Sequence, residues 1–89
     1  MTCKKGETIN LTTKIEGTVN GQYVTFNVVY YFDDIEIGTS SESKNNYPLR
    51  YLVKDDISVG KHIIKSVASY NEENISLKRE NTLNINVTE

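Results

Sequence analysis

Apolar and polar residues alternate one by one along most of the chain. In the stretch ETINLTTKI, Ile9, Leu11 and Ile15 fall on the same side of the alternation, and the stretch VTFNVVYYF continues it from Val24 to Phe32. A period of two belongs to a strand with one buried face, whereas a helix needs apolar residues every three or four positions. No segment keeps the helical period. The sequence therefore predicts an all-β protein.

Clusters of glycine, asparagine and aspartate divide the alternation into about seven strands. The predicted strands are Thr2–Lys4, Glu7–Ile15, Gln22–Phe32, Ile35–Thr39, Tyr47–Lys54, Lys61–Tyr70 and Ile75–Thr88. Short strands separated by turns at this spacing favour an antiparallel β-sandwich. The phase of the alternation places these residues between two sheets: Leu11, Val24, Phe26, Val28, Leu49, Ile64, Leu83 and Ile85. In this strand order the two ends of the chain lie at opposite poles, so we expect units that can be joined head to tail.

Length and charge exclude several classes of function. Residues 1–89 suffice for one domain with one modest core. The net charge is only −2, with lysines and acids interspersed, so we expect no nucleic-acid partner. No apolar run is long enough to insert this segment into a membrane. The single cysteine, Cys3, forms neither an internal disulfide nor a zinc site, and we predict no cofactor.

The only histidine, His62, opens a strand directly after Gly60. Histidine is the usual acid–base catalyst near neutral pH, and Asp55, Asp56 and Ser58 are candidate partners for an enzyme site. Nothing in the sequence marks a strained nucleophile turn or an oxyanion hole, however. We therefore predict that His62 packs at a corner of the sandwich, with one ring nitrogen bonded to loop backbone, and that the chain is not an enzyme.

Two further sets of residues are candidates for binding. Asp33, Asp34, Asp55 and Asp56 fall in turns at the same end of the predicted fold, where carboxylates could bind calcium. They lack the ordered spacing of a calcium loop, so a solvated acidic turn is favoured. Tyr23 and Tyr31 point outward on their predicted strand and could stack on a sugar ring or contact a protein; the alternative is that they cover the sheet.

The pattern VTFNVVYYFDDIEIGTS…GKHIIKSVASY…NTLNINV resembles the immunoglobulin-like domains that are repeated in bacterial and archaeal cell-surface proteins. The resemblance implies a framework role for Gly60, His62, Phe26 and Ile64, and it departs from the family at Asp34, where glycine is usual. It also implies that the domain was excised from a longer surface protein. Whether that protein carries a lipid anchor, in the upstream sequence or at Cys3, is left open.

We therefore expect a structural or adhesive module, at the cell surface or secreted, whose partners are neighbouring domains, a surface protein or a glycan. A carbohydrate-binding accessory domain of a surface glycan-processing system is the alternative.

Overall fold

The computed structural model describes residues 1–72 and 74–89. Within these residues the chain is all-β, as predicted, with nine strands, one short 3₁₀ turn at Ser43–Asn45 and no helix long and apolar enough to cross a membrane. The strands are β1 (Thr2–Lys4), β2 (Thr8–Leu11), β3 (Thr18–Val19), β4 (Gln22–Tyr23), β5 (Asn27–Phe32), β6 (Ile35–Ser40), β7 (Leu49–Leu52), β8 (Gly60–Glu72) and β9 (Ile75–Thr88).

The largest sheet has five strands in the order β1-β9-β8-β5-β6. The pairs β9–β8, β8–β5 and β5–β6 are antiparallel, but β1 runs parallel to β9, with Cys3 opposite Val87. The prediction of a purely antiparallel fold is therefore wrong. The first strand lies beside the last one and runs in the same direction, so the sheet is mixed.

A two-stranded sheet, β2–β7, packs against the larger one. The core contains Ile9 and Leu11 from β2 together with Val28, Ile64 and Ile85 from the five-stranded sheet.

Contact between the two layers is close at Gly38. A methyl group added there would lie 2.7 Å from a methyl carbon of Leu49, so a larger residue at this position on β6 would require Leu49 to move.

The predicted strand Gln22–Phe32 is broken into β4 and β5, which is one reason why the chain has nine strands and not about seven. The break follows from two hydrogen bonds. The Val24 N–H donates to the Gly17 carbonyl (3.0 Å), and the Phe26 N–H donates to the hydroxyl of Tyr47 (3.0 Å). Because these two N–H groups bond elsewhere, residues 24–26 do not pair with β8, and the pairing of β5 with β8 begins at Asn27.

The other additional strand, β3, lies in a stretch that was predicted to be a turn. It forms a small hairpin with β4 around Asn20 and Gly21, whose φ angles are 54° and 79°. Positive φ at both central residues is the geometry of the two-residue hairpin turn that an Asn-Gly pair favours.

The predicted core is largely confirmed. Leu11, Phe26, Val28, Ile64 and Ile85 are buried, and Val24 and Leu49 are half-buried. Leu83 is the exception: 43% of it is exposed, so its predicted burial is wrong. It lies on the part of β9 that has no neighbouring strand on its outer side, because β1 pairs only with Asn86 to Thr88.

The ends of the chain lie near each other, which corrects the expectation that they occupy opposite poles. The three-residue strand β1 runs parallel to the last residues of β9, so Met1 lies beside Asn86. The Asn86 N–H donates to the Met1 carbonyl (2.8 Å). Lys4 in turn lies opposite Thr88, one residue before the end of the chain. Head-to-tail joining along the long axis therefore does not follow from the positions of residues 1 and 89.

Two buried tyrosines connect the layers through hydrogen bonds. The Tyr30 hydroxyl, on β5, donates to the Tyr47 carbonyl (2.7 Å) and lies 2.7 Å from the Thr13 hydroxyl, which must therefore donate to it. The Tyr47 hydroxyl accepts from the Phe26 N–H. Among the described residues, every buried side-chain polar atom has a partner. We refer to Thr13, Tyr30 and Tyr47 as the tyrosine network.

Replacing Tyr30 with phenylalanine should destabilise the fold, because it leaves the Thr13 hydroxyl and the Tyr47 carbonyl buried without a partner. We expect a loss of about 1–3 kcal/mol in the free energy of unfolding. The matched control is Tyr31→Phe, the neighbouring tyrosine on the opposite face of β5, which should change stability by less than about 0.5 kcal/mol. Urea denaturation measures both. Equal losses for the two variants would contradict the role of the network.

Candidate functional site

The turn between β5 and β6 and the start of β8 meet at one end of the large sheet. The pairing of β5 with β8 ends at Phe32 opposite Ile64, so the next residue on each strand, Asp33 and Ile63, come together there. The Asp33 N–H donates to the Ile63 carbonyl (2.9 Å), and the Ile63 N–H donates to Asp33 Oδ1 (2.9 Å). Asp33 is thereby fixed by its backbone and by its side chain.

His62 lies against Asp33 and is held at both ring nitrogens. Nδ1 contacts Asp33 Oδ2, and Nε2 lies 2.7 Å from the carbonyl oxygen of Ser58. Only 10% of the His62 side chain is exposed, and its ring packs beside that of Phe32, with 5.0 Å between the centroids. We call Asp33, His62 and Ser58 the histidine clasp. The predicted bond between the ring and loop backbone is the one to Ser58.

The clasp favours the charged forms of both titratable groups. The hydrogen bond to Asp33, aided by the Ser58 carbonyl, raises the pKa of His62 above its ordinary value. The same bond to His62, aided by the Ile63 N–H, lowers the pKa of Asp33. A carboxylate and a carbonyl are both acceptors, so the ring meets both needs only when each nitrogen carries a proton. The clasp therefore favours an imidazolium–carboxylate pair.

These three residues superficially have the composition of a hydrolase triad. Ser58 Oγ lies 3.3 Å from His62 Nε2, and Asp33 orients the ring from the other side. A base that activates serine must accept a proton at Nε2, however, and here that nitrogen already donates to the Ser58 carbonyl. With both ring nitrogens protonated, the arrangement holds the loop before β8 in place and leaves no nitrogen to accept a proton from Ser58.

The acid that contacts His62 is Asp33, and not Asp55 or Asp56, which the sequence offered as its partners. Asp55 and Asp56 lie exposed in the turn after β7. The signal that could have identified Asp33 is the pairing of two predicted strands. The residue that follows Phe32 must lie beside Ile63 once Phe32 is opposite Ile64.

The four aspartates that were considered for calcium are engaged differently from one another. Asp33 uses both oxygens within the clasp, and Asp34 lies 3.6 Å from the ammonium group of Lys65. In the described part of the chain, no group of three or more histidine, cysteine, aspartate or glutamate side chains is arranged to hold a metal ion.

The turn itself shows how the chain accommodates Asp34 where glycine was expected. Asp33 and Asp34 have φ angles of 49° and 68°, in the left-handed region that aspartate tolerates better than most residues. The bonds from Asp33 to His62 and Ile63 hold this conformation. Gly60, at φ 125°, supplies a conformation on the facing strand that other residues rarely adopt.

The two candidate binding tyrosines lie in different sheets. Tyr23 is on β4 and is 76% exposed. Tyr31 is on β5 and is half-buried, with the ammonium group of Lys65 5.2 Å from the centre of its ring. The structure therefore offers one open aromatic ring and one that a lysine already covers, and the two do not form a shared flat platform.

Cys3 is buried at 3% exposure on β1, and this burial raises the pKa of its thiol. The burial also leaves little of the thiol accessible from solvent in the folded chain.

Comparison with known proteins yields no match: no family model, no curated protein and no solved structure is significantly similar to the chain.

The histidine clasp should make stability depend on pH in two opposite directions. The raised pKa of His62 gives a contribution that is complete below 6.5 and is lost as the pH rises through the folded-state pKa. The lowered pKa of Asp33 gives a contribution that is complete above 3.8 and is lost as the pH falls through its folded-state pKa. Between these two values both contributions are present in full.

Asp33→Asn should flatten this profile and lower stability between those values, because asparagine keeps the turn and an acceptor for Ile63 but carries no charge. Asp34→Asn, in the same turn with a side chain that is 90% exposed, is the control and should keep the parent profile. Denaturant unfolding at a series of pH values measures the effect. If Asp33→Asn keeps the parent's dependence of stability on pH, the charged pair between Asp33 and His62 does not contribute as we expect.

Proposed function

We propose that the chain is a non-catalytic, immunoglobulin-like β-sandwich module with a structural or adhesive role in a prokaryotic cell-surface or secreted protein. The histidine clasp is the observation that supports a non-catalytic role. The single histidine of the chain has both nitrogens committed to framework acceptors, so the group best suited to acid–base chemistry is used to fasten a loop.

The order of the strands supports an immunoglobulin-like sandwich. In that fold the second strand pairs with a middle strand in one sheet, and the third strand lies with the last two in the other. The order β1-β9-β8-β5-β6 facing β2–β7 has this form, and its core draws on both sheets. The resemblance of the sequence to prokaryotic surface domains supports the cell-surface or secreted location.

The arrangement of the two poles supports presentation of a binding surface more than simple spacing. Residues 1 and 89 lie near the histidine clasp, because Met1 sits beside Asn86 and His62 is paired with Ile85. Any segment joined to either residue starts from this pole. The β3–β4 hairpin and the loop before β7 lie toward the other pole, which is where a surface protein or a glycan would be contacted. Neighbouring domains of the same chain would be met at the clasp pole.

The buried position of Cys3 bears on attachment. A lipid chain on this thiol would require β1 to leave the sheet, because Cys3 is paired with Val87 and packed in the core. If the parent protein is lipid-anchored, we therefore place the anchor in upstream sequence and not at Cys3.

One observation favours the alternative, a carbohydrate-binding accessory domain. Tyr23 exposes most of its ring, and exposed tyrosine rings can stack on sugars. With Tyr31 already covered by Lys65, this surface would rest on a single ring, so the alternative remains second.

A glycan array and a calcium titration of the 89-residue chain, the latter followed by NMR, test the proposal. We expect no glycan binding that depends on Tyr23, and no saturable shifts at Asp33, Asp34, Asp55 or Asp56, because these groups form no shared site. Tyr23→Ala, with Tyr31→Ala as its control, identifies any aromatic contribution. Glycan binding that is lost in Tyr23→Ala would replace the structural function with the carbohydrate-binding one.

A further inference from the structure

The outer edge of β9 is open over most of its length. On one side β9 is paired with β8 from Ile75 to Val87, but on the other side β1 covers only Asn86 to Thr88. The open part from Ile75 to Ile85 is about 33 Å long at roughly 3.3 Å per residue. An edge of this length is a template on which another strand can form hydrogen bonds.

The direction of the backbone groups along this edge follows from one bond. The Asn86 N–H points away from β8, because it donates to Met1 on the open side. The β8–β9 pairing runs without a register shift, so every second residue before Asn86 also turns its N–H and C=O outward. These residues are Ser76, Lys78, Glu80, Thr82 and Asn84.

Two neighbouring side chains confirm this direction and occupy part of the edge. Arg79 Nη1 donates to the outward carbonyl of Lys78, and the outward N–H of Thr82 donates to Asn81 Oδ1, each at 3.0 Å. The outward N–H groups of Ser76 and Lys78 have no partner among the described residues. The edge is thus partly capped and otherwise available.

We propose that a second copy of this chain pairs antiparallel along the open edge of β9, with the two-fold axis at Arg79. Outward residues must face outward residues, so in such a pair the axis passes through a residue and not between two. With the axis at Arg79, Lys78 of each copy lies opposite Glu80 of the second copy. An axis one residue away in either direction would set Lys78 or Glu80 opposite itself.

The same register brings together apolar side chains that are exposed in the single chain. Ile75 is 39% exposed and Leu83 is 43% exposed, and both lie on the face of β9 that carries the buried Ile85. With the axis at Arg79, Ile75 of each copy is opposite Leu83 of the second copy. Pairing in this register would cover Leu83, which is exposed in the single chain.

The balance of these contacts indicates a weak dimer. About eight backbone hydrogen bonds, two opposite-charge pairs and two apolar pairs favour pairing. The two Arg79 side chains face each other at the axis and oppose pairing. In each copy Arg79 must also release the Lys78 carbonyl, and Asn81 must release the Thr82 N–H. An interface made by one pair of edge strands is small, so association should depend strongly on concentration. This proposal does not depend on the proposed function.

A charge exchange tests the register by sedimentation equilibrium of the 89-residue chain. Glu80→Lys and Lys78→Glu each turn two attractive pairs into two repulsive ones, so each should weaken dimerisation by about tenfold or more. The double variant Lys78→Glu/Glu80→Lys should restore it. Glu36→Lys, an exposed position on β6 at the opposite edge of the sheet, is the control for net charge. If the dimerisation constant is the same in these variants as in the parent, the dimer uses another surface and the proposal is overturned.

Disulfide trapping tests the axis independently. Arg79→Cys places a thiol opposite itself in a pair without backbone hydrogen bonds, a separation that a disulfide can span. It should cross-link on air oxidation, whereas Asn81→Cys, on the same face but opposite Leu77, should not. The buried Cys3 makes the parent a background control. A parent that stays monomeric at all concentrations, or an Arg79→Cys variant that cross-links no faster than Asn81→Cys, would overturn the proposal.

Discussion

The tyrosine network joins segments of the chain that are distant in sequence. Two tyrosine hydroxyls and one threonine hydroxyl are buried between the sheets, where an unpaired hydroxyl would cost more than its bond contributes. Satisfying them fixes three segments at once: the chain after β2, the chain before β5 and the chain before β7. Tyr47 adopts a left-handed backbone, φ 55°, immediately before a proline, a conformation that persists only where its surroundings determine it. The hydrophobic faces could pack in several ways, and these bonds select one.

The histidine clasp does at the clasp pole what the tyrosine network does inside the core. Both use polar groups that would suit chemistry in another protein, and both commit every atom to holding a loop or a turn. Asp33 and His62 lie in the turn and strand start that meet there, and Ser58 brings in the preceding loop. These polar groups stabilise the fold, and the interaction surfaces that we propose lie elsewhere, at the edge of β9 and at the opposite pole.

Alternation along the sequence was sufficient to predict the all-β class, the bounds of β1 and β9, and most of the core. It failed where a side chain competes with the ladder: the Tyr47 hydroxyl takes the Phe26 N–H, which no local pattern can reveal because Tyr47 is distant in sequence. It also failed at Leu83, because the phase of a strand specifies a face but not whether another layer covers it. In the clasp, the sequence identified His62 as an inward residue and chose the wrong acids, because proximity along the chain was used where strand pairing decides.

Whether His62 is a charged framework group or a catalytic base can be read from the protonation of its ring. A pH titration of the two ring nitrogens by ¹⁵N NMR reports how many carry a proton and at which pH the second one is lost. We expect protons on both nitrogens and a midpoint for loss of the second proton above the ordinary value of 6.5, with a lower midpoint in Asp33→Asn. A midpoint at or below that value, with Nε2 unprotonated near neutral pH, would contradict this expectation and restore His62 as a candidate base.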